Sequence, residues 1–298
     1  MIKVGIYGPC PGADPLRKQL LRLLLRHPDV DLRLVASPGS WGIPIAELHP
    51  VYAGETDLKL ERNLELEGLD VLFVIDEENL PKEALDKLSV DKDFRIIVLG
   101  KAPGLLAGDN HEFVYGLAEY NRKALVRGAR AAVSPSPVSM LVELALFPLA
   151  KNWELKGDVA GMVSQPSGVT PQIDEALRLL KQIQTDFEGS IKVRHDEPAP
   201  YGRLDLHLNL PTSLSLDEIE KIYEEAYGDH NFVYMISGRD GVDEDLRGSN
   251  KCLLQLFRRD DRLCINASMD ILTKGQAGNA VHLMNLLFGL HERTGLSI

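Results

Sequence analysis

"IKVGIYGPCPGADPLRKQLLRLLLRHPDVDLRLVA", residues 2–36, contains one complete strand, helix and strand. Ile2 to Tyr7 is a short apolar strand, Pro15 to Arg26 carries leucines at helical spacing, and Leu32 to Ala36 is a second strand. The same logic continues outward. "DVLFVI" (70–75) and "RIIVLG" (95–100) are further apolar strands around the helix-like "PKEALDKL" (81–88). Continuously apolar strands interleaved with helices imply a parallel sheet covered on both faces, because the helical crossovers lie on those faces. The first part of the chain therefore reads as an α/β, doubly wound, dinucleotide-binding architecture.

The pattern changes past about residue 150. Thr170 to Phe187 reads as a long amphipathic helix with Pro171 in its first turn, and "RLDLHLNL" (203–210) alternates as a half-solvated strand does. Ser215 with Glu218 forms a capping box that opens a helix ending near Tyr227. "KCLLQLFRRDDRLCINASM" (251–269) reads as a hairpin turning at Arg259 to Asp261. This half is expected to be an antiparallel sheet with helices on one face.

Composition narrows the function. With 298 residues, 44% of them hydrophobic, the chain can bury a large core and split into two domains. A formal net charge of -11 argues against nucleic acid or an anionic membrane as the main partner, and leaves a small-molecule ligand or a protein partner. "MIKVGIYGPC" enters a strand directly, and no run of about 18 apolar residues occurs, so a cytoplasmic protein is expected. Cys10, Cys252 and Cys264 are too dispersed for a disulfide framework or a metal site, so no metal is expected.

"LRGSNKC" (246–252) and "KGQAGNAVHLMNLLFGLHERTGL" (274–296) resemble the closing segments of the N-acetyl-gamma-glutamyl-phosphate reductase family, within the aspartate-semialdehyde dehydrogenase superfamily. "LLRLLLRHPDVDL" (20–32), "GIPIAELHPVYAG" (42–54) and "FVYGLAEYNR" (113–122) are similar to its first domain in order and spacing. The resemblance implies a Rossmann-type domain over 1–135 with 272–298, and an α+β domain of the glyceraldehyde-3-phosphate dehydrogenase type over 136–271, for substrate and oligomerisation. It further implies reduction of an acyl phosphate by NADPH, with a cysteine thiolate forming a thioester and a histidine handling protons.

Laid on the family's motifs, this chain departs at four places. The nucleophile falls within "SPSPVSM" (134–140), where Pro137 stands at the cysteine position. Proline has neither a thiol nor a backbone N–H, and Ser134 and Ser136 are the neighbouring hydroxyls of this ligand loop. The family's base falls on Val169. The phosphate turn "GPCPGADPLRKQLL" (8–21) keeps Gly8 and Gly12, but Pro9, Pro11 and Pro15 each withdraw an N–H from it. After the second strand Ser37 remains, while Pro38 stands where the family places an arginine for the 2'-phosphate of NADP. Asn279 corresponds to a residue that approaches the nicotinamide.

Together these departures lead to the expectation of a relative that has lost acyl-phosphate reduction, binds NADP weakly, and acts as a ligand-binding or partner protein. It would form a homo-oligomer, or a hetero-oligomer with an active relative. The alternative is an active NADPH-dependent reductase of arginine biosynthesis with a rearranged active site. Asn250 and its neighbours Arg247 to Ser249 match the family, and are expected to serve turn geometry rather than ligand contact.

Overall fold

The computed structural model describes residues 1–10, 12, 14–75, 78, 80–100, 113–165, 173–197, 202–237 and 246–298. Val169 and Pro171 lie outside these. The chain divides into two compact units, Met1–Pro135 with Gln276–Leu296, and Ser136–Gly275 with Ser297–Ile298.

In the first unit, β1 (Ile2–Tyr7), α1 (Pro15–Leu25) and β2 (Val30–Ala36) form the opening crossover. There follow α2 (Ile45–Leu48), β3 (Leu60–Glu61), β4 (Val71–Ile75), α3 (Lys82–Val90), β5 (Arg95–Leu99), β6 (Phe113–Tyr115), α4 (Ala118–Val126) and β7 (Ala131–Ser134). The sheet runs β3-β2-β1-β4-β5-β7-β6, parallel throughout. All five residues of β4 are buried, as a strand covered on both faces requires. Strand order reverses between β1 and β4, the switch point where sheets of this kind open a crevice at their carboxyl ends.

The second unit holds α5 (Pro137–Lys151), β8 (Val159–Ser164), α6 (Asp174–Ile183), β9 (Ile191–His195) and β10 (Arg203–Pro211). It continues with α7 (Leu216–Tyr227), β11 (Val233–Met235), β12 (Cys252–Arg259) and β13 (Arg262–Asp270). Its sheet, β11-β12-β13-β10-β8-β9, is mixed rather than antiparallel. The three inner pairings are antiparallel and the two edge pairings parallel. At one edge the cause is plain: α6 carries the chain back between β8 and β9, so both strands enter from the same end. The alternation read in 203–210 is present, with Leu204, Leu206, Leu208 and Leu210 buried against the helices.

The helix read over 170–187 is shorter at its carboxyl end. Gln184 leaves helical geometry, accepts a bond from Leu155 N at 3.1 Å and donates to Leu155 O at 3.0 Å, which fastens the chain to another segment and ends α6 at Ile183. Ser215 and Glu218 form the reciprocal capping box of α7. Asp270 accepts from the backbone N–H of Leu272 and Thr273 at 2.8 and 2.6 Å, so residues 272–275 stay with the second unit. A single π-type turn, Thr273–Ala277, leads into α8 (Gly278–Leu287), which packs on α1, α4, β5 and β7 of the first unit.

Pro148 lies inside α5 and cannot donate to the carbonyl of Leu144 four residues back. That carbonyl instead accepts the hydroxyl of Tyr227 at 2.7 Å, and the adjacent Ala145 carbonyl accepts that of Tyr223. Both tyrosines are buried and come from α7. Tyr227→Phe should therefore cost about 1–3 kcal/mol by leaving a buried acceptor unmade. In a Pro148→Ala background, where residue 148 regains its N–H, the same change should cost much less. Urea unfolding of the four proteins tests this, and an equal cost in both backgrounds would refute the account.

Candidate functional site

Gly8 follows β1 directly with φ +155°, and a Cβ there would lie 2.6 Å from Ile75 O and 2.9 Å from Ile75 Cβ, at the end of β4. The turn can pass this point only as glycine. Gly12, with φ +131°, has open space where its Cβ would stand.

Asp14 caps α1, accepting from the backbone N–H of Leu16 at 3.0 Å and of Arg17 at 3.3 Å, with Pro15 at the first helical position. A carboxylate of the chain itself thus occupies the N–H groups a phosphate would use. Arg17, one turn in, is fully buried. Its Nη2 donates to Gly8 O at 2.8 Å and Pro9 O at 2.7 Å, while Nε and Nη1 have no partner among the described residues. Burial holds its pKa below the ordinary value, partly offset by Cys10 and Asp14.

Ser37 and His49 add buried polar atoms without a partner among the described residues. Ser37 Oγ stands just past β2, although its backbone N–H is held by Glu61 O at 3.0 Å. His49, at the end of α2, is buried with Nε2 unpartnered. Desolvation, then Lys18 and Arg17, lower its pKa against the pull of Asp14.

At the end of β7, Ser134 is buried and its hydroxyl accepts from Asn279 Nδ2 at 2.9 Å. The same Nδ2 donates to Gly116 O at 3.0 Å, and Asn279 Oδ1 is buried with no partner among the described residues. Gly116 has no room for a Cβ, which would sit 2.6 Å from Val133 O.

In the second unit, Ser136 is the N-cap of α5 but makes no capping bond with its side chain. Its N–H donates to Glu175 Oε2 at 3.0 Å and its Oγ is buried without a partner among the described residues. Pro137 is the first residue of α5, the usual place for a proline, and faces Gly275, whose Cβ would lie 3.2 Å from that of Pro137. The cysteines are buried at other points: Cys10 in the loop after β1, Cys252 at the start of β12, and Cys264 within β13. His195 ends the edge strand β9, and His207 is on the exposed side of β10. Gly248 makes the turn of its segment with φ +72°, its N–H donating to Asp270 Oδ2 at 2.9 Å. Among the described residues no group of three His, Cys, Asp or Glu could hold a metal ion, and no helix is long and apolar enough to cross a membrane.

The structure thus joins Ser134 with Asn279, and sets Gly8 and Ser37 at the ends of adjacent strands, while Ser136 is paired with Glu175. Sequence reasoning missed Asp14, Arg17 and Glu175. The Asp-Pro pair ahead of a leucine-rich helix is a capping signal that could have found the first.

The orphaned atoms fit the parts of a dinucleotide. A guanidinium with spare N–H groups suits phosphate, a hydroxyl at the end of β2 suits the adenosine ribose side, and an amide oxygen at β7 suits a carboxamide N–H.

No family model matches the chain. Among curated proteins it is similar to the N-acetyl-gamma-glutamyl-phosphate reductase of Bacteroides thetaiotaomicron, 33% identical with 100% of this chain and 98% of that protein covered. The enzyme of the same name from Alkalilimnicola ehrlichii is 31% identical over 99% of this chain and 98% of its own length. Among solved structures, aspartate semialdehyde dehydrogenase II from Vibrio cholerae superposes with a TM-score of 0.69 at 13% identity, covering 97% of this chain and 98% of that one. A probable aspartate-semialdehyde dehydrogenase from Pseudomonas aeruginosa gives 0.64, covering 96% and 98%.

Proposed function

We propose, on the premise that the chain belongs to the N-acetyl-gamma-glutamyl-phosphate reductase family, that it is an NADPH-dependent reductase acting on an N-acetyl-gamma-glutamyl-phosphate-like acyl phosphate at a rearranged site. The observation that carries this reading is kinship over the whole length, at 33% identity, with relatives bearing that name. The overall change would convert acyl phosphate, NADPH and a proton into semialdehyde, NADP and phosphate. NADPH, when bound, supplies the hydride.

This chain's residues would divide the remaining work. Ser37 and Asn279 would hold the cofactor's two ends, with Gly8 keeping the turn low enough to admit it. A thiol is absent at Pro137, and the hydroxyl next to it in the chain is that of Ser136, whose backbone N–H donates to the Glu175 carboxylate. Serine is a weak nucleophile without a base, and Glu175, bonded to the backbone N–H of Ser136, would have to turn to its hydroxyl to take the proton.

A second reading, a ligand-binding relative that performs no reduction and assembles with an active one, is favoured by Pro137 itself. NADPH oxidation on adding N-acetylglutamyl phosphate, and the reverse, phosphate-dependent oxidation of the semialdehyde, separate the two. Turnover that disappears in Ser136→Ala supports the first. Absence of turnover in both directions, with N-acetylglutamyl phosphate still raising the Tm, would establish the second.

A further inference from the structure

We propose that Arg17 is the phosphate anchor of this protein, holding the diphosphate of the dinucleotide through side-chain donors where the turn has lost backbone donors. The inference rests on the cofactor part of the functional reading, and adds the residue that makes binding feasible.

The turn is a depleted N–H cradle. Pro9, Pro11 and Pro15 carry no N–H, and those of Leu16 and Arg17 are taken by Asp14. What the turn has instead is a cation. Arg17 is fully buried at the amino end of an 11-residue helix, yet only its Nη2 is used, on two neutral carbonyls. Nε and Nη1 carry three further N–H bonds with no acceptor among the described residues. Leaving the donors of a buried cation unmade is among the costlier arrangements a fold can contain, and such a group calls for a missing ion or ligand. A purely structural arginine would be expected to meet a carboxylate here, but the carboxylate at hand, Asp14, spends both oxygens on the helix.

The neighbours agree with an anionic guest. His49 Nε2 is buried, without a partner among the described residues, and within electrostatic reach of Arg17. Gly8, which accepts from Arg17, also donates from its N–H to Ala36 O at 3.3 Å, and so ties Arg17 to the strand end that carries Ser37. Phosphate oxygens match guanidinium donors in geometry as well as charge.

The test measures binding rather than turnover. Inorganic pyrophosphate and NADPH are titrated by calorimetry and by their shift of Tm into wild type, Arg17→Met, Arg17→Lys and Asp14→Asn. Wild type should bind both. Arg17→Met should weaken each by roughly 10- to 100-fold, and Arg17→Lys should fall between. Asp14→Asn keeps the cap and removes a negative charge, so it should bind pyrophosphate several-fold more tightly. It also keeps the idea testable if Arg17→Met fails to fold. Pyrophosphate binding unchanged in Arg17→Lys, unchanged in Asp14→Asn, or absent in wild type overturns the proposal. Failure of the reductase reading appears separately, as absence of turnover in a wild type that still binds pyrophosphate through Arg17.

Discussion

Gly8→Ala should destabilise the first unit severely. Two costs add. The new Cβ would stand 2.6 Å from the Ile75 carbonyl oxygen and 2.9 Å from Ile75 Cβ, and neither atom is the end of a flexible side chain. The backbone at φ +155° is moreover a conformation that side-chain-bearing residues rarely adopt. Overpacking of this kind costs about 1–3 kcal/mol and a strained backbone about 1–3 more, so a loss of about 2–6 kcal/mol is expected in urea unfolding. Gly12→Ala is the matched control. Its φ is also positive, but nothing lies within 4 Å of the added methyl, so only the conformational part should appear. Equal losses at the two positions would show that the close passage of β1 over the end of β4 does not constrain the turn.

The second large effect is an acid transition centred on Glu292. Its carboxylate accepts from His282 Nε2 at 2.8 Å and from Arg122 Nε at 2.7 Å, fastening the carboxyl-terminal turn to α8 and α4. The bond from His282, ahead of the bond from Arg122, brings its pKa down to about 2 from an ordinary value of 4.5, against the opposing effect of burial. Because the folded pKa is depressed, the stabilisation is complete above 4.5 and is lost as pH falls towards 2. At about 1.4 kcal/mol per unit, the loss is on the order of 3 kcal/mol. Denaturation midpoints measured from pH 6 down to about 2 should fall steeply in wild type. Glu292→Gln should start lower and change less across that window. A variant curve parallel to that of wild type would sink the assignment.

The elements were largely legible from local signals. The apolar runs of β1, β4 and β5, the alternation of β10, and the Ser215/Glu218 box depend on residues within a few positions of one another, where period and capping chemistry act directly. Where a distant segment intervenes, the local reading slips. The amphipathic pattern continues past Ile183, but Gln184 is claimed by Leu155 and the helix stops. The edge strands of the second sheet also run parallel, contrary to the antiparallel reading, because strand direction is set by connections rather than by pattern.

By itself the sequence determined the two-part α/β and α+β architecture and the glycine at the first turn, since each follows from residue type and spacing. Only the tertiary structure decided what those residues face. It gave Asn279 to Ser134, left the Ser136 hydroxyl without a partner among the described residues beside a backbone link to Glu175, and buried Arg17 against the carbonyls of Gly8 and Pro9, in a turn whose lost N–H groups had argued against phosphate. A count of lost donors along the chain cannot register a side chain that arrives from the following helix. Burial and hydrogen bonding depend on the folded path of the backbone, which brings Gly8, Asp14 and Arg17 together through bonds that residue spacing alone does not specify.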